Sequence, residues 1–315
     1  MISTDITEEE VKKFQGLFEF LKRLAADGVT PLIEKQLLAM LEHATPYFAH
    51  LVMTSVFPEF HRITINKNVI GSNKRIRDIK FLKYPPAEKV SKYGRCNLPK
   101  QSVLYGAFIH MTALNELKPQ VGDLITHSTW RVKHNQPLTY CPIFKNQPTE
   151  KKVINPRTLE INNLYVRELN KFPRHAKIQV DNLVQFIADA FSKRVSPNNH
   201  LDYIFSAYFS NKIFNEFEKG QIEAIYYPSV QDSLSFENIA IKPDVFDKKY
   251  ELTEVKDSIV IVDPSNGRGG YLMDGLSECK TFDYASEKIL WDMNKLHQPR
   301  EKIFEHKLNY GLDLE

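Results

Sequence analysis

Between Tyr93 and Glu116 the chain changes conformational regime twice within a short length, which fixes a turn, a strand and a helix as neighbours in any fold it adopts. Gly94-Arg95-Cys96-Asn97 brings together a flexible position, a cation and an amide, and reads as a turn. Ser102-Val103-Leu104-Tyr105 follows as an apolar run and predicts a buried strand. Thr112-Ala113-Leu114-Asn115-Glu116 then opens a short helix and places a carboxylate on it. Such a succession is a common wall of a ligand pocket. The same residues also read as a surface turn, a core strand and a solvated glutamate, and the stretch alone leaves both readings open.

The segments around it divide by periodicity. At the N-terminus Thr7-x-x-Glu10 is a capping box, and Val11, Phe14, Leu17, Phe18, Leu21 and Leu24 recur at helical spacing up to a stop at Gly28. Thr30-Pro31 starts a second helix to about His43, with Leu32, Leu37, Leu38 and Leu41 as its stripe. Neither helix can bury its apolar face alone, so packing against the rest of the chain is expected. From about residue 55 to 145 helical periodicity is lost in favour of short strands and turns, with Pro85-Pro86 marking a loop. A helical block runs from about Asn162 to Gly220, broken near Pro173 and Pro197. Its last helix carries Leu201, Ile204, Phe205, Tyr208, Phe209, Ile213, Phe214 and Phe217 on a face that reads as core. Strand runs follow at Ala224–Val230, Asn238–Ile241 and Ser258–Val262, and Asn266–Gly270 reads as a tight connection without phosphate-loop spacing.

Composition bounds the function without naming it. A chain of 315 residues buries a sizeable core as one large domain or two, and 42% hydrophobic with 26% charged residues is ordinary for a globular protein. A net charge of +3 does not argue for nucleic acid, because an electrostatic footprint there is a concentrated basic patch. No apolar run approaches the ~20 residues of a membrane span, and the start, MISTDITEEEVKK, predicts no signal peptide. Cys96, Cys141 and Cys279 fit neither a disulfide framework nor a zinc pattern, which points to a reducing cytoplasm. The histidines show no metal-ligand spacing, and no Cys–His pairing is evident.

Taken in order, Phe60-His61-Arg62-Ile63, Tyr84-Pro85-Pro86, Gly94–Asn97, Ser102–Ala107, Thr112–Glu116, Ile225–Val230 and Asn238–Ile241 resemble the RES domain family, named for its Arg, Glu and Ser. The likeness spans roughly residues 58 to 246. It implies an α+β fold with an ADP-ribosyltransferase-like mixed sheet core and flanking helices. Residues 55–250 would be the catalytic domain, 1–54 a helical extension and 251–315 an extension packed on the core. It also implies an enzyme that consumes NAD by cleaving its nicotinamide–ribose bond, with NAD as substrate and no prosthetic group or metal. The family pairs such toxins with a DNA-binding antitoxin, so an inhibitory protein partner is expected.

The residues can be set against that chemistry. Glu116 matches the family's Glu and would stabilise the oxocarbenium-like ribose, as carboxylates do in glycoside cleavage. Arg62 matches the Arg and would clamp the diphosphate through its fork. Ser229 matches the Ser and would orient ribose or the nicotinamide amide. Arg95 is a further phosphate clamp, Tyr105 a support for ribose or nicotinamide, and Asn97 a binding residue or simply the fixer of its turn. Cys96 departs from the larger apolar residue of the family, which removes a stacking ring at that position. Lys74, Arg75, Arg77, Lys80 and Lys83 form a basic segment that reads as a solvated face or as a guide for anions, with Arg77 as substitute clamp for Arg62. The acceptor of ADP-ribose is open among water, phosphate and a protein, for which residues 134 to 160 are polar enough to serve as a recognition loop. A non-catalytic module gripping a partner or nucleic acid is the reading from another class.

Overall fold

The computed structural model describes residues 6–44, 49–144, 156–196, 198–230, 237–264, 270–292 and 296–314. The chain opens with helices α1 (Glu8–Leu24) and α2 (Pro31–Ala44). Strands β1 (Met53–Ser55) and β2 (Glu59–Ile65), the short α3 (Asn66–Ile70), β3 (Leu104–Ala107) and α4 (His110–Leu117) follow. Next come β4 (Leu124–Val132), β5 (Leu138–Pro142), α5 (Pro156–Leu169), α6 (Arg174–Ser192) and α7 (Ile204–Asn215). The remainder contains β6 (Ala224–Pro228), β7 (Glu237–Ile241), α8 (Pro243–Lys249), β8 (Tyr250–Val262), β9 (Leu272–Cys279), the small hairpin β10 (Phe282–Asp283) and β11 (Lys288–Ile289), and α9 (Arg300–Tyr310).

The N-terminal helices follow their local signals. Thr7 caps α1 by accepting from the Glu10 N–H, while the Glu10 carboxylate accepts from the Thr7 N–H at 2.8 Å. This reciprocal pair satisfies two of the donors that a helix start leaves orphaned. Phe18 and Leu21 of α1 and Leu37 and Leu41 of α2 bury themselves with Phe186 and Phe191 of α6 and Phe209 of α7 in one cluster. Phe18 stacks on Phe186 with ring centres 4.3 Å apart. The two helices therefore pack in cis.

The main sheet has nine strands in the order β1-β5-β6-β7-β3-β2-β4-β8-β9. The β5–β6 pair is parallel and all its other pairs are antiparallel, so the sheet is mixed and the fold is α+β. Alternation sorts side chains to the two faces: Tyr226, Ile239 and Ile241 enter one cluster, whereas Ile225, Tyr227 and Ala240 enter the helix-covered cluster opposite. Residues from Tyr250 onward build β8 and β9 into this same sheet. A boundary at residue 250 thus passes through the first residue of a strand, and the C-terminal region completes the core sheet where an appended extension was expected. Asn266–Gly269, read as a tight connection, lies outside the described residues. No helix of the described residues is long and apolar enough to cross a membrane.

Candidate active site

A cleft opens where two neighbouring strands part. β2 is laddered to β4 along its whole length, Glu59 to Arg131 through Ile65 to Ile125, but shares a single register pair with β3, His61 with Ala107. Beyond that pair the Arg62 Nη1 donates to the Tyr105 carbonyl at 2.9 Å, so a side chain spans the gap that a ladder bond would otherwise close. α4 docks beside it, burying Ala113 and Leu114 against Ile63, Ile65 and Ala107. The resulting cavity of about 290 Å³ is lined by His61, Arg62, Arg95, Tyr105, Glu116, Tyr203, Tyr227 and Asn238 among others.

Glu116 sits in the last turn of α4, whose cap residue Lys118 has a left-handed φ of 52°. The dipole at a helix C-terminus disfavours a carboxylate, so a charge kept there needs donors. Two are supplied across the sheet. Ser229 Oγ donates to Glu116 Oε1 at 2.8 Å and Asn238 Nδ2 donates to the same oxygen at 3.1 Å. Ser229 follows β6 directly and Asn238 lies on β7, where it pairs with both Tyr227 and Ala107. The second carboxylate oxygen has no protein donor among the described residues, which leaves it for a ligand.

Arg62 is one of two arginines in the cavity wall. It forms no ion pair among the described residues, and its Nε is sealed from solvent without a partner. Burial lowers its guanidinium to about 10. A buried, uncompensated cation facing a cleft is costly unless an anion completes it.

The structure brings Arg62, Glu116 and Ser229 together, but not in equivalent positions. Ser229 is fully buried and is not among the residues lining the cavity; its hydroxyl donates to Glu116, where a contact to ribose or the nicotinamide amide was expected. Arg95 lines the cleft, yet its Nη1 donates to the Phe191 and Lys193 carbonyls at the end of α6 and its guanidinium lies 5.1 Å from the centre of the Tyr203 ring. It caps a helix C-terminus, an employment that competes with phosphate clamping. Tyr105 contributes its ring to the wall, while its hydroxyl donates to Asn97 Oδ1 at 2.7 Å and accepts from the Cys96 N–H at 2.8 Å. Asn97 spends its amide on the Lys92 and Leu98 carbonyls, so it fixes the turn and does not line the cleft.

The basic segment separates on folding. Arg75 is buried and donates to Asp257 at 2.7 Å, Lys83 bridges Asp247 and Glu287, and none of Lys74, Arg75, Arg77, Lys80 and Lys83 lines the cleft. Arg77, the substitute clamp for Arg62, is therefore not part of the cavity wall. The cysteines stay thiols: burial pushes Cys96 up to about 12 and Cys141 well above the ordinary value. His50 does lie 3.1 Å from Cys141 Sγ, a pairing invisible in the sequence, but burial lowers this imidazole to about 4, so the pair is neutral and not a thiolate–imidazolium couple.

Sequence reasoning did not single out His61, Tyr203, Tyr227 or Asn238 for the site. An asparagine inside the apolar run Asn238-Ile239-Ala240-Ile241 was a usable signal, since a buried amide needs a partner. Tyr203 carried none, because it arrives from the turn before α7. Compared with models of known families and with curated proteins, the sequence matches none.

Proposed function

We propose that the cleft binds NAD and cleaves its nicotinamide–ribose bond, in the manner of the RES family that the motifs resemble. The observation that carries this reading is a half-buried carboxylate, Glu116, with one oxygen fixed by Ser229 and Asn238, lining the same cavity as the uncompensated Arg62. An anionic dinucleotide supplies the counter-charge that Arg62 lacks. When the glycosidic bond breaks, its electron pair passes to the nicotinamide nitrogen, which loses its positive charge, and the cation develops on the ribose. The oriented carboxylate stabilises that cation, a contribution of the kind that fixed electrostatics make in other glycoside-cleaving sites. No strong acid is needed, because nicotinamide leaves neutral.

The acceptor is water, phosphate or a protein side chain. Of the polar stretch 134–160 considered for a protein target, residues 145–155 lie outside the described ones. An activity of this kind endangers its own cell, so a protein inhibitor is the partner to seek. NAD incubated with the purified protein should release free nicotinamide, read by mass spectrometry, with ADP-ribose, its phosphate, or modified protein naming the acceptor. Glu116→Gln should lower the rate by roughly two to three orders of magnitude, the scale for losing one electrostatic contact to a transition state. Unchanged NAD would leave a binding module and overturn the proposal.

A further inference from the structure

Three histidine rings from different elements meet beside the cleft, with His61 in its wall and His110 and His127 next to it. His61 of β2 lines it, and His127 of β4 is its diagonal neighbour, since His61 is paired with Thr129 and Ile63 with His127. Their ring centres are 5.1 Å apart. His110 opens α4 and stands 6.3 Å from His61 and 5.8 Å from His127, brought there by the docking of that helix.

Little of their hydrogen-bonding capacity is used. His61 Nδ1 meets Thr129 Oγ1 at 3.3 Å and its Nε2 lies 3.9 Å from Glu59. His127 Nε2 is sealed from solvent with no partner. The carboxylates nearby are already matched: Glu59 by Arg131 at 3.1 Å, Glu254 of β8 by Lys256 at 2.8 Å and Lys280 at 2.9 Å, and Glu278 of β9 by Lys280 at 3.5 Å. The unmatched groups are the imidazoles and Arg62, with Lys256 also facing the rings.

That balance selects the ligand. Among the described residues no group of three or more His, Cys, Asp or Glu is arranged to hold a metal ion, and Lys256 beside the rings would repel one. Phosphoryl oxygens have the opposite preference, because a neutral imidazole donates one N–H and gains a second donor on protonation. From this geometry we infer that His61, His110 and His127 form with Arg62 a phosphoryl subsite that takes up a proton as its ligand binds. Burial, reinforced by the other two rings and Lys256, holds His127 down to about 4, and burial lowers His61 as well. The His61 and His127 rings of the empty subsite therefore resist protonation, and a bound dianion supplies the counter-charge that lets one of them protonate.

The inference rests on the NAD reading only for the origin of the phosphate, which is either the diphosphate of the dinucleotide or a free phosphate acting as acceptor. ADP carries the diphosphate without a nicotinamide–ribose bond, so its binding tests the subsite whether or not NAD is cleaved. The histidine ring resonances of the intact protein, ten residues in all, would be titrated with pH alone, with ADP and with inorganic phosphate. Resonances lost in His61→Gln and His127→Gln should show proton affinity about tenfold higher with ligand bound. A response to ADP at concentrations where phosphate gives none assigns the subsite to the dinucleotide, and the reverse assigns it to the acceptor. Unmoved titrations with both ligands, or ADP affinity unchanged in a folded His61→Gln/His127→Gln variant, would overturn the subsite. NAD cleavage with unmoved histidines would spare the enzyme reading while ending this one.

Discussion

Ser229 separates two ways in which a polar residue serves a site. Its hydroxyl touches Glu116 and nothing in the cleft, so its removal should alter the carboxylate and not the grip on the ligand. Ser229→Ala deletes one charge-assisted hydrogen bond, worth about 1.5–3 kcal/mol, and should lower kcat roughly 10- to 100-fold with KM nearly constant. Arg62 should behave in the opposite sense. Arg62→Lys keeps a charge but loses the fork that bridges to Tyr105, so KM for NAD should rise, and rise further in Arg62→Ala. Steady-state kinetics on the three variants decides both points: a KM defect in Ser229→Ala would put the hydroxyl on the ligand after all. The pairing of Ser229 with Glu116 joins residues 113 apart in sequence, and no local pattern announced its direction. The motif placed a Ser near a Glu; only the docking of α4 on β2 and β3 aimed one at the other.

The same contrast between local and remote information explains which elements were legible. α1 and α2 were, because a capping box, a proline start and a 3.6-residue stripe are written in consecutive residues. β8 was read only over its apolar end, Ser258–Val262, although it begins at Tyr250. Lys256 and Asp257 interrupt the apolar pattern, and Asp257 tolerates full burial because Arg75, 182 residues earlier, donates to it. Arg75 also donates to the Ser277 hydroxyl and the Leu314 carbonyl, and Thr126 donates to Asp257 at 3.0 Å. This network ties β4, β8, β9 and the C-terminal residues to one side chain. Removing a single partner strands a buried charge, so Arg75→Met should destabilise the fold by about 3–5 kcal/mol. Arg75→Met with Asp257→Leu should recover much of that loss, since the second change removes the stranded carboxylate. Urea unfolding of wild type and the variants measures the cycle; a double variant no more stable than Arg75→Met would show that the remaining hydrogen bonds, not the charge, are what the network requires.

Across the molecule, buried imidazoles make stability depend on acid in a defined window. Burial lowers His50 at the sheet edge and His127 at the cleft to about 4, against an ordinary 6.5 that each regains on unfolding. Below 6.5 the unfolded chain binds protons that the folded chain refuses, so the equilibrium shifts toward unfolding as pH falls from 6.5 to 4 and is flat above 6.5. Two such groups amount to a few kcal/mol over the full window, because each tenfold loss of proton affinity is worth about 1.4 kcal/mol. Burial would raise Glu254 and Asp274, but hydrogen bonds to lysines and, for Asp274, to His306 outweigh it and hold both below the usual carboxylate range. Their contribution is lost only at lower pH. The urea midpoint should therefore drop between pH 7 and pH 5 before the carboxylates take part. A midpoint unchanged over that interval would mean that neither imidazole is desolvated in the fold. Saturating ADP adds a sharper condition. A ligand that lets His127 protonate within the folded cleft raises its folded value toward the unfolded one, so the fall in midpoint should become shallower. His50 lies outside the cleft and keeps its share of the slope, which makes the residual dependence its own signature. A slope that ADP leaves untouched would place the dianion elsewhere on the surface and separate the acid response of the fold from the chemistry of the cleft.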